Sequence, residues 1–301
     1  MSMNLRPLHE SDLEAALALW NRSAQFDQMT PELLDEKISA DPDYDPNLVL
    51  LAEQDHRPVG LIMGVKRQAG REATGFIKLL AVDPGMRRRG VGRAMLQVIE
   101  QQLRAAGVQT IRVFDSNPNY LVPGIDPRYT ETLVFFERQG YERFGDTANM
   151  EVDLTARSFD TKAEEERLCA DGFEIRRALM ADWDDVMALL SRHWPAWIPE
   201  VERALSNYPI SLHLALHQKK VAAFSAHDGN NQNTGWFGPM GTDPDYRGRN
   251  LGGVLLRRCL ADIKAQGHRR AIIPWVGPYA FYLHHAGAKI TRVFWRYRKK
   301  F

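Results

Sequence analysis

The chain has 301 residues, 44% of them apolar and 26% charged, a composition rich enough to bury a core and remote from intrinsic disorder. Its 39 Lys and Arg nearly cancel its 38 Asp and Glu, so no global basic field exists to gather nucleic acid or an anionic membrane. Cys169 and Cys259 stand far apart, which fits neither a clustered zinc site nor a disulfide scaffold, and no metal is expected. The opening from Met1 to Glu10 has no apolar signal core, and no run approaches the ~20 apolar residues of a membrane span. The expectation is a cytoplasmic protein of two domains at ~150 residues each, acting as a monomer or homodimer.

In chain order, a strand at 4–8 precedes Asp12, placed to cap a helix with Leu13, Leu17 and Trp20 on one face. Strands follow at 48–52, 59–65 and 76–82, the last running into Asp83-Pro84 and an arginine-rich turn. A long helix carrying Leu96, Ile99 and Leu103 ends at Gly107. After a strand at 110–114 comes a turn-rich insertion, 117–129, long enough to be functional or to cover a sheet edge. A short helix before Gly140 completes the series. Residues 155–171 are polar and charged and read as a linker or surface helix. The same order then returns: a strand at 173–178, Asp182, a helix with Trp183, Met187 and Leu190, strands at 212–216, 221–226 and 235–241, Asp243-Pro244, a helix with Leu256, Leu260 and Ile263 ending at Gly267, a strand at 271–276, and a helix before Gly287.

The return is a repeat. Arg6, Asp12, Ala18 and Leu19 meet Arg176, Asp182, Ala188 and Leu189 at an offset of 170. Asp83-Pro84, Arg87 and Gly92 meet Asp243-Pro244, Arg247 and Gly252 at 160, and Gly140 meets Gly287 at 147. One α/β fold with a mixed sheet is therefore written twice, as domains 1–154 and 172–301 joined by the linker 155–171.

Each copy holds a turn between an apolar strand and an amphipathic helix, with arginines beside it. Such a turn presents unpaired backbone N–H groups at the positive end of a helix, and glycine lets a ligand approach them. The device suits a pyrophosphate. A nucleotide-binding P-loop is excluded because Val91 stands where its lysine belongs, and a dinucleotide fingerprint because the third glycine is missing. The pattern Arg-x-x-Gly-x-Gly is met in full by Arg87-Arg88-Arg89-Gly90-Val91-Gly92. The sequence Arg247-Gly248-Arg249-Asn250-Leu251-Gly252 departs from it only at Asn250, a residue that tolerates left-handed backbone.

These turns, at matched positions in two copies, resemble those of the GNAT superfamily of acetyl-CoA-dependent N-acetyltransferases. The resemblance implies two tandem acyl-CoA N-acyltransferase domains, with both turns and Asn117 contacting acetyl-CoA. It implies further that strand ends Leu80, Ala81, Val82 and Met240, Gly241, Thr242 hold the pantetheine arm and thioester. The reaction implied is direct attack of an amine in a ternary complex, with backbone N–H stabilising the oxyanion and a tyrosine protonating the departing thiolate.

In the second half Tyr282 fits the place of that tyrosine. In the first, Phe135-Phe136 occupies it and cannot donate a proton. Tyr282 also reads, on spacing alone, as a helix aromatic packed in a core. His227, at a strand end, is a candidate base, and a solvated turn histidine is the alternative. His213 and His217 alternate with leucines as the outward face of a strand, and Asp115 and Asp126 are further candidates in the first half. Trp194 and Trp197 form either an acceptor wall that stacks on a sugar or part of a core. The segments 236–241 and 273–278 resemble bacterial tandem glucosamine and glucosaminide N-acetyltransferases. The expected acceptor is thus a small primary amine, an amino sugar first. The rivals are an acetyl-CoA-binding sensor or scaffold and an acetyltransferase acting on protein lysine or another small amine.

Overall fold

The structure is a computed structural model that describes residues 3–69 and 72–301. Met1 and Ser2 of the opening segment lie outside the described residues. The chain divides into two compact units, Met1–Asp146 with Phe294–Phe301, and Thr147–Val293.

In the first unit β1 (Asn4–Pro7) leads to α1 (Leu13–Ser23) and α2 (Pro31–Lys37). There follow β2 (Val49–Gln54), β3 (Arg57–Ala69), β4 (Glu72–Val82), α3 (Val91–Ala105), β5 (Thr110–Val113), α4 (Thr130–Arg138) and the start of β6 (Glu142–Asp153). β1 to β4 pair antiparallel in order, and β5 runs parallel to β4. One face of this mixed sheet packs Ile62, Ile77 and Ile111 against Met95, Leu96, Ile99 and Leu103 of α3. The other packs Leu51, Leu61 and Leu79 against Leu19 and Trp20 of α1 and Leu33 and Leu34 of α2. Burial on both faces explains the nearly unbroken apolar run 76–82. Lys78 is its one polar interruption.

In the second unit come α5 (Lys162–Ala170), β7 (Phe173–Arg177), α6 (Trp183–His193), α7 (Ile198–Ser206), β8 (Leu212–His217), β9 (Lys220–His227), β10 (Phe237–Thr242), α8 (Leu251–Ala265), β11 (Arg270–Ile273), α9 (Tyr279–Ala286) and the start of β12 (Lys289–Lys300). Strands β7 to β10 form a four-stranded antiparallel sheet in the order β10-β9-β8-β7. β11 pairs antiparallel with the second half of β6. The repeat is physical as well as textual. Arg6 grips both oxygens of Asp12 at 2.6 and 2.8 Å, and Arg176 grips Asp182 at 2.6 and 2.7 Å. The two aspartates, expected as side-chain caps, instead accept these guanidinium bonds and the backbone N–H of His9 and Leu179. Gly107 and Gly267 end α3 and α8 in left-handed conformation, at φ +85° and +96°.

The two units differ from the expected domains 1–154 and 172–301, and the expected linker 155–171, with α5, lies within the second unit. Residues 147–153 belong to the second unit, where they pair with β11, and Phe294–Phe301 belongs to the first, where Arg298–Lys300 pairs with β5. Strand partners so distant in sequence leave no local mark. The insertion 117–129 is buried or half-buried except at Arg128, and Ile125 bridges Trp295 within the first unit, so it covers that unit's own sheet.

Candidate active site

Each unit holds two strands that run side by side and then part. β4 and β5 pair from Thr74↔Thr110 to Ile77↔Val113, and the last bond runs from Phe114 N–H to the Ile77 carbonyl at 2.9 Å. There Phe114 turns to φ +66° and the chain leaves, while β4 continues to Val82 with only β3 beside it. In the second unit Trp236 bridges Ile272 in parallel, after which β10 runs to Thr242 as a sheet edge. Beyond each fork lies an unpaired strand edge, the first carrying half-buried Leu80 and Val82, the second half-buried Met240 and Thr242. Such an edge takes an extended ligand by backbone hydrogen bonds.

Each edge ends in an Asp-Pro turn. Asp83 accepts Gly85 N–H at 2.9 Å and Asp243 accepts Asp245 N–H at 3.0 Å. No amide from Arg88 to Arg93, or from Gly248 to Gly253, has a hydrogen-bond acceptor among the described residues. These N–H groups head α3 and α8, where the helix dipole favours an anion. Two positions in each turn are left-handed: Arg88 (φ +64°) and Gly90 (φ +89°) in the first, Gly248 (φ +79°) and Asn250 (φ +62°) in the second. Each turn thus spends one glycine on two such positions, and Asn250 does not break the loop. A β-carbon on Gly90 or Gly248 would meet nothing within 4 Å, so both turns are open over their amides. Arg87, Arg88, Arg89, Arg247 and Arg249 are all exposed; Arg87 also donates to the Ser23 carbonyl at 3.0 Å, and Arg249 lies over the Phe173 ring. The coenzyme's pyrophosphate and pantetheine fit these parts in both units, on unsatisfied amides and an unpaired edge.

Aromatics close each fork. Phe135 packs on Gly92 and Phe281 on Gly252, and the residue after each, Phe136 or Tyr282, turns into the core. The Tyr282 ring meets Phe237, the first residue of β10, edge to face at 6.1 Å. Its hydroxyl has no hydrogen-bond partner among the described residues, and burial pushes its pKa up to about 12. On the other side of β10, Trp194 lies against Gly241 and stacks on Trp197 with ring centres 5.5 Å apart. Both tryptophans are half-buried, so they serve the core and border the strand edge at once. Asn117 sits half-buried in the segment that leaves the fork after β5.

His227 does not join this group as a free base. It is 2% exposed, with Nδ1 3.1 Å from Asp228 and Nε2 3.3 Å from Asp262. Burial disfavours its charged form, but the two carboxylates outweigh this and raise its pKa. Both ring nitrogens are engaged, leaving no lone pair for a substrate proton. His213, expected to face outward, is 2% exposed because α8 covers that face; it meets Asp262 at 2.7 Å and accepts Arg258 Nε at 3.1 Å. Asp115 is wholly buried beneath Arg112 and Arg296, and Asp126 is clasped by Arg128 at 2.6 Å, so both are structural. Two features escaped the sequence reading. The Nε2 of His193 is buried without a hydrogen-bond partner, 3.7 Å from Asp243 Oδ2. Lys78 and Asp41 form a buried ion pair at the first fork. The signal for the second was one lysine in an apolar strand. Among the described residues no group of three or more His, Cys, Asp or Glu side chains is placed to hold a metal, and no helix is long and apolar enough to cross a membrane.

The sequence profile of the acetyltransferase (GNAT) family matches residues 10–120 and 176–284. Solved structures repeat the fold over 99% of this chain. One is a GCN5-related glucosamine N-acetyltransferase region of a fungal multi-domain GH3 beta-N-acetylglucosaminidase, at TM-score 0.83 and 16% identity, of which this chain spans 38%. A tandem GNAT protein from the clavulanic acid biosynthesis pathway matches at TM-score 0.70 and 16% identity over 98% of its length. A GCN5-related N-acetyltransferase from Sphaerobacter thermophilus matches at 0.69 and 18% over 95%. With two copies of the fork and turn, matched in place by the family profile, the chain belongs to the acetyltransferase (GNAT) family, whose members take their acetyl group from acetyl-CoA.

Proposed function

We propose that the second unit transfers an acetyl group from acetyl-CoA to the primary amine of a small molecule, an amino sugar being the class it suits best. The observation that carries this is Tyr282. Its ring stands beside Phe237 at the fork, its hydroxyl has no hydrogen-bond partner among the described residues, and its raised pKa keeps it protonated through neutral pH, as a general acid must be. Acetyl-CoA supplies a thioester, and the balance is amine plus thioester giving amide plus thiol. One proton leaves the nitrogen and one arrives at sulfur. In this reading the edge Met240–Thr242 and the amides of Gly248 to Gly252 hold the coenzyme, with Arg247 and Arg249 adding charge. Tyr282 donates to the departing sulfur, and Trp194 with Trp197 offers a flat apolar face to a sugar ring. The named activity of the fungal neighbour, glucosamine N-acetylation, agrees with that acceptor.

The first unit keeps Leu80, Val82 and the turn Arg87 to Gly92 but has Phe136 where Tyr282 stands. It reads as a coenzyme-binding unit without an acid. The test is thiol release from acetyl-CoA over a panel of amines including glucosamine, for the wild type and Tyr282→Phe. Turnover on at least one small amine, reduced tenfold or more by the substitution, is expected. Equal rates would remove Tyr282 from this role. Binding without turnover across the panel would make the protein an acetyl-CoA sensor.

A further inference from the structure

At the fork of the first unit β4 carries one residue too many. Gly64 pairs with Ile77 and Met63 with Leu79, so Lys78 is the extra residue of a bulge. At the turn's offset of 160 its counterpart is Gly238, where β10 breaks register between Phe237 and Met240. A β-carbon on Gly238 would meet no atom within 4 Å. One fork is therefore open at this position, and the other is filled by a lysine.

The surroundings of that lysine are specific. Its side chain is wholly buried and its ammonium bonds to Asp41, itself wholly buried and held by Arg67 at 2.5 and 2.7 Å. Beside it, Lys37 Nζ donates to Glu36 Oε1 and Asn119 Oδ1, both at 2.8 Å, and Asn119 returns a bond to the Glu36 carbonyl at 2.7 Å. Burial pulls the Lys78 pKa down to about 7, although Asp41 opposes it. An apolar side chain among Phe76, Ile77 and Leu79 would fill this space without burying charge. What the arrangement builds instead is a buried carboxylate that receives, beside Arg67, an amine on a four-carbon chain.

We propose that the fork of the first unit is a primary-alkylammonium site occupied from within by Lys78, where the second unit leaves room for an acceptor amine. The proposal rests on the acetyl-transfer reading only for the word acceptor; the site itself is defined by Asp41 and the bulge. It follows that the first unit has no room for an external amine, whatever its turn binds.

The experiment uses the full chain carrying Lys78→Gly, which copies Gly238 and leaves Asp41 facing a cavity. Thermal unfolding is followed in n-butylammonium chloride and in equal concentrations of sodium chloride and tetramethylammonium chloride. The variant is expected to melt below wild type and to recover several degrees, saturably, in n-butylammonium alone, while wild type responds alike to all three salts. A variant shift no larger than that in tetramethylammonium, or an equal shift in wild type, would overturn the proposal. No coenzyme is present, so failure here is distinct from failure of the acetyl-transfer reading. If the variant does not fold, the milder truncation Lys78→Ala, measured in the same three salts, decides. A recovery in n-butylammonium beyond that in tetramethylammonium, absent from wild type, is the supporting result, and its absence would overturn the proposal.

Discussion

Two left-handed residues shape each anion turn, and the copies divide the strain differently. The first puts arginine at 88 and glycine at 90; the second puts glycine at 248 and asparagine at 250. A residue with a β-carbon in this region costs about 1–2 kcal/mol unless its side chain compensates. Since a β-carbon on Gly90 meets nothing within 4 Å, Gly90→Ala is expected to cost that conformational amount and no more. Urea unfolding of wild type and variant checks it. A loss above about 4 kcal/mol would mean that the turn is packed rather than open. The glycine signature was legible in the sequence because it reports backbone geometry directly. The place of Tyr282 was legible only through the repeat and the resemblance, and the surroundings of Lys78 were not legible at all, because a lysine in a strand acquires meaning only from where the neighbouring strand parts.

At the scale of elements, α8 is pinned to its sheet by a buried chain of charges. Asp228, His227, Asp262 and His213 follow one another, with Arg177 on Asp262 at 2.8 Å, and Arg258 on His213 at 3.1 Å and on Glu165 at 2.9 Å. The two histidines shift in opposite senses. Burial lowers His213, and the two carboxylates raise His227 against burial. Below the unfolded value of 6.5 the unfolded chain holds protons on both, while the folded one keeps only that of His227 once pH exceeds the lowered pKa of His213. Stability therefore rises with pH up to about 6.5, and above it falls until pH passes the raised pKa of His227. The pair is expected to give a stability maximum near pH 6.5, measured by urea unfolding from pH 5 to 8. His227→Gln should remove the alkaline fall and leave the acid limb; a fall that persists in the variant would assign it to other groups. The order of strands and helices was legible from period and punctuation. This chain was not, since His213 alternates with leucines as a solvent-facing residue does, and only α8 across the sheet makes that face an interior.

At the scale of the whole chain, repetition in sequence and division in space do not coincide. The last eight residues belong to the first unit, and residues 147–153 to the second. Within the first unit Phe294 and Tyr297 are buried, Tyr297 donates to Glu137 of α4 at 2.7 Å, Lys299 meets Glu100 of α3 at 2.9 Å, and Arg298–Lys300 extends the sheet beside β5. The first unit is therefore incomplete until the end of the chain is available, although its own sequence stops near residue 146. Tyr297→Ala removes a large ring from the core built on α3 and α4 and leaves Glu137 without its donor, a loss of about 3–5 kcal/mol for such a truncation. Amide hydrogen exchange localises the effect. Protection in β5, α3 and α4 is expected to drop, while that of β8 and β9, which belong to the second unit's own sheet, should hold. Loss confined to the second unit, or none at all in the first, would show that the closing strand does not serve the first core.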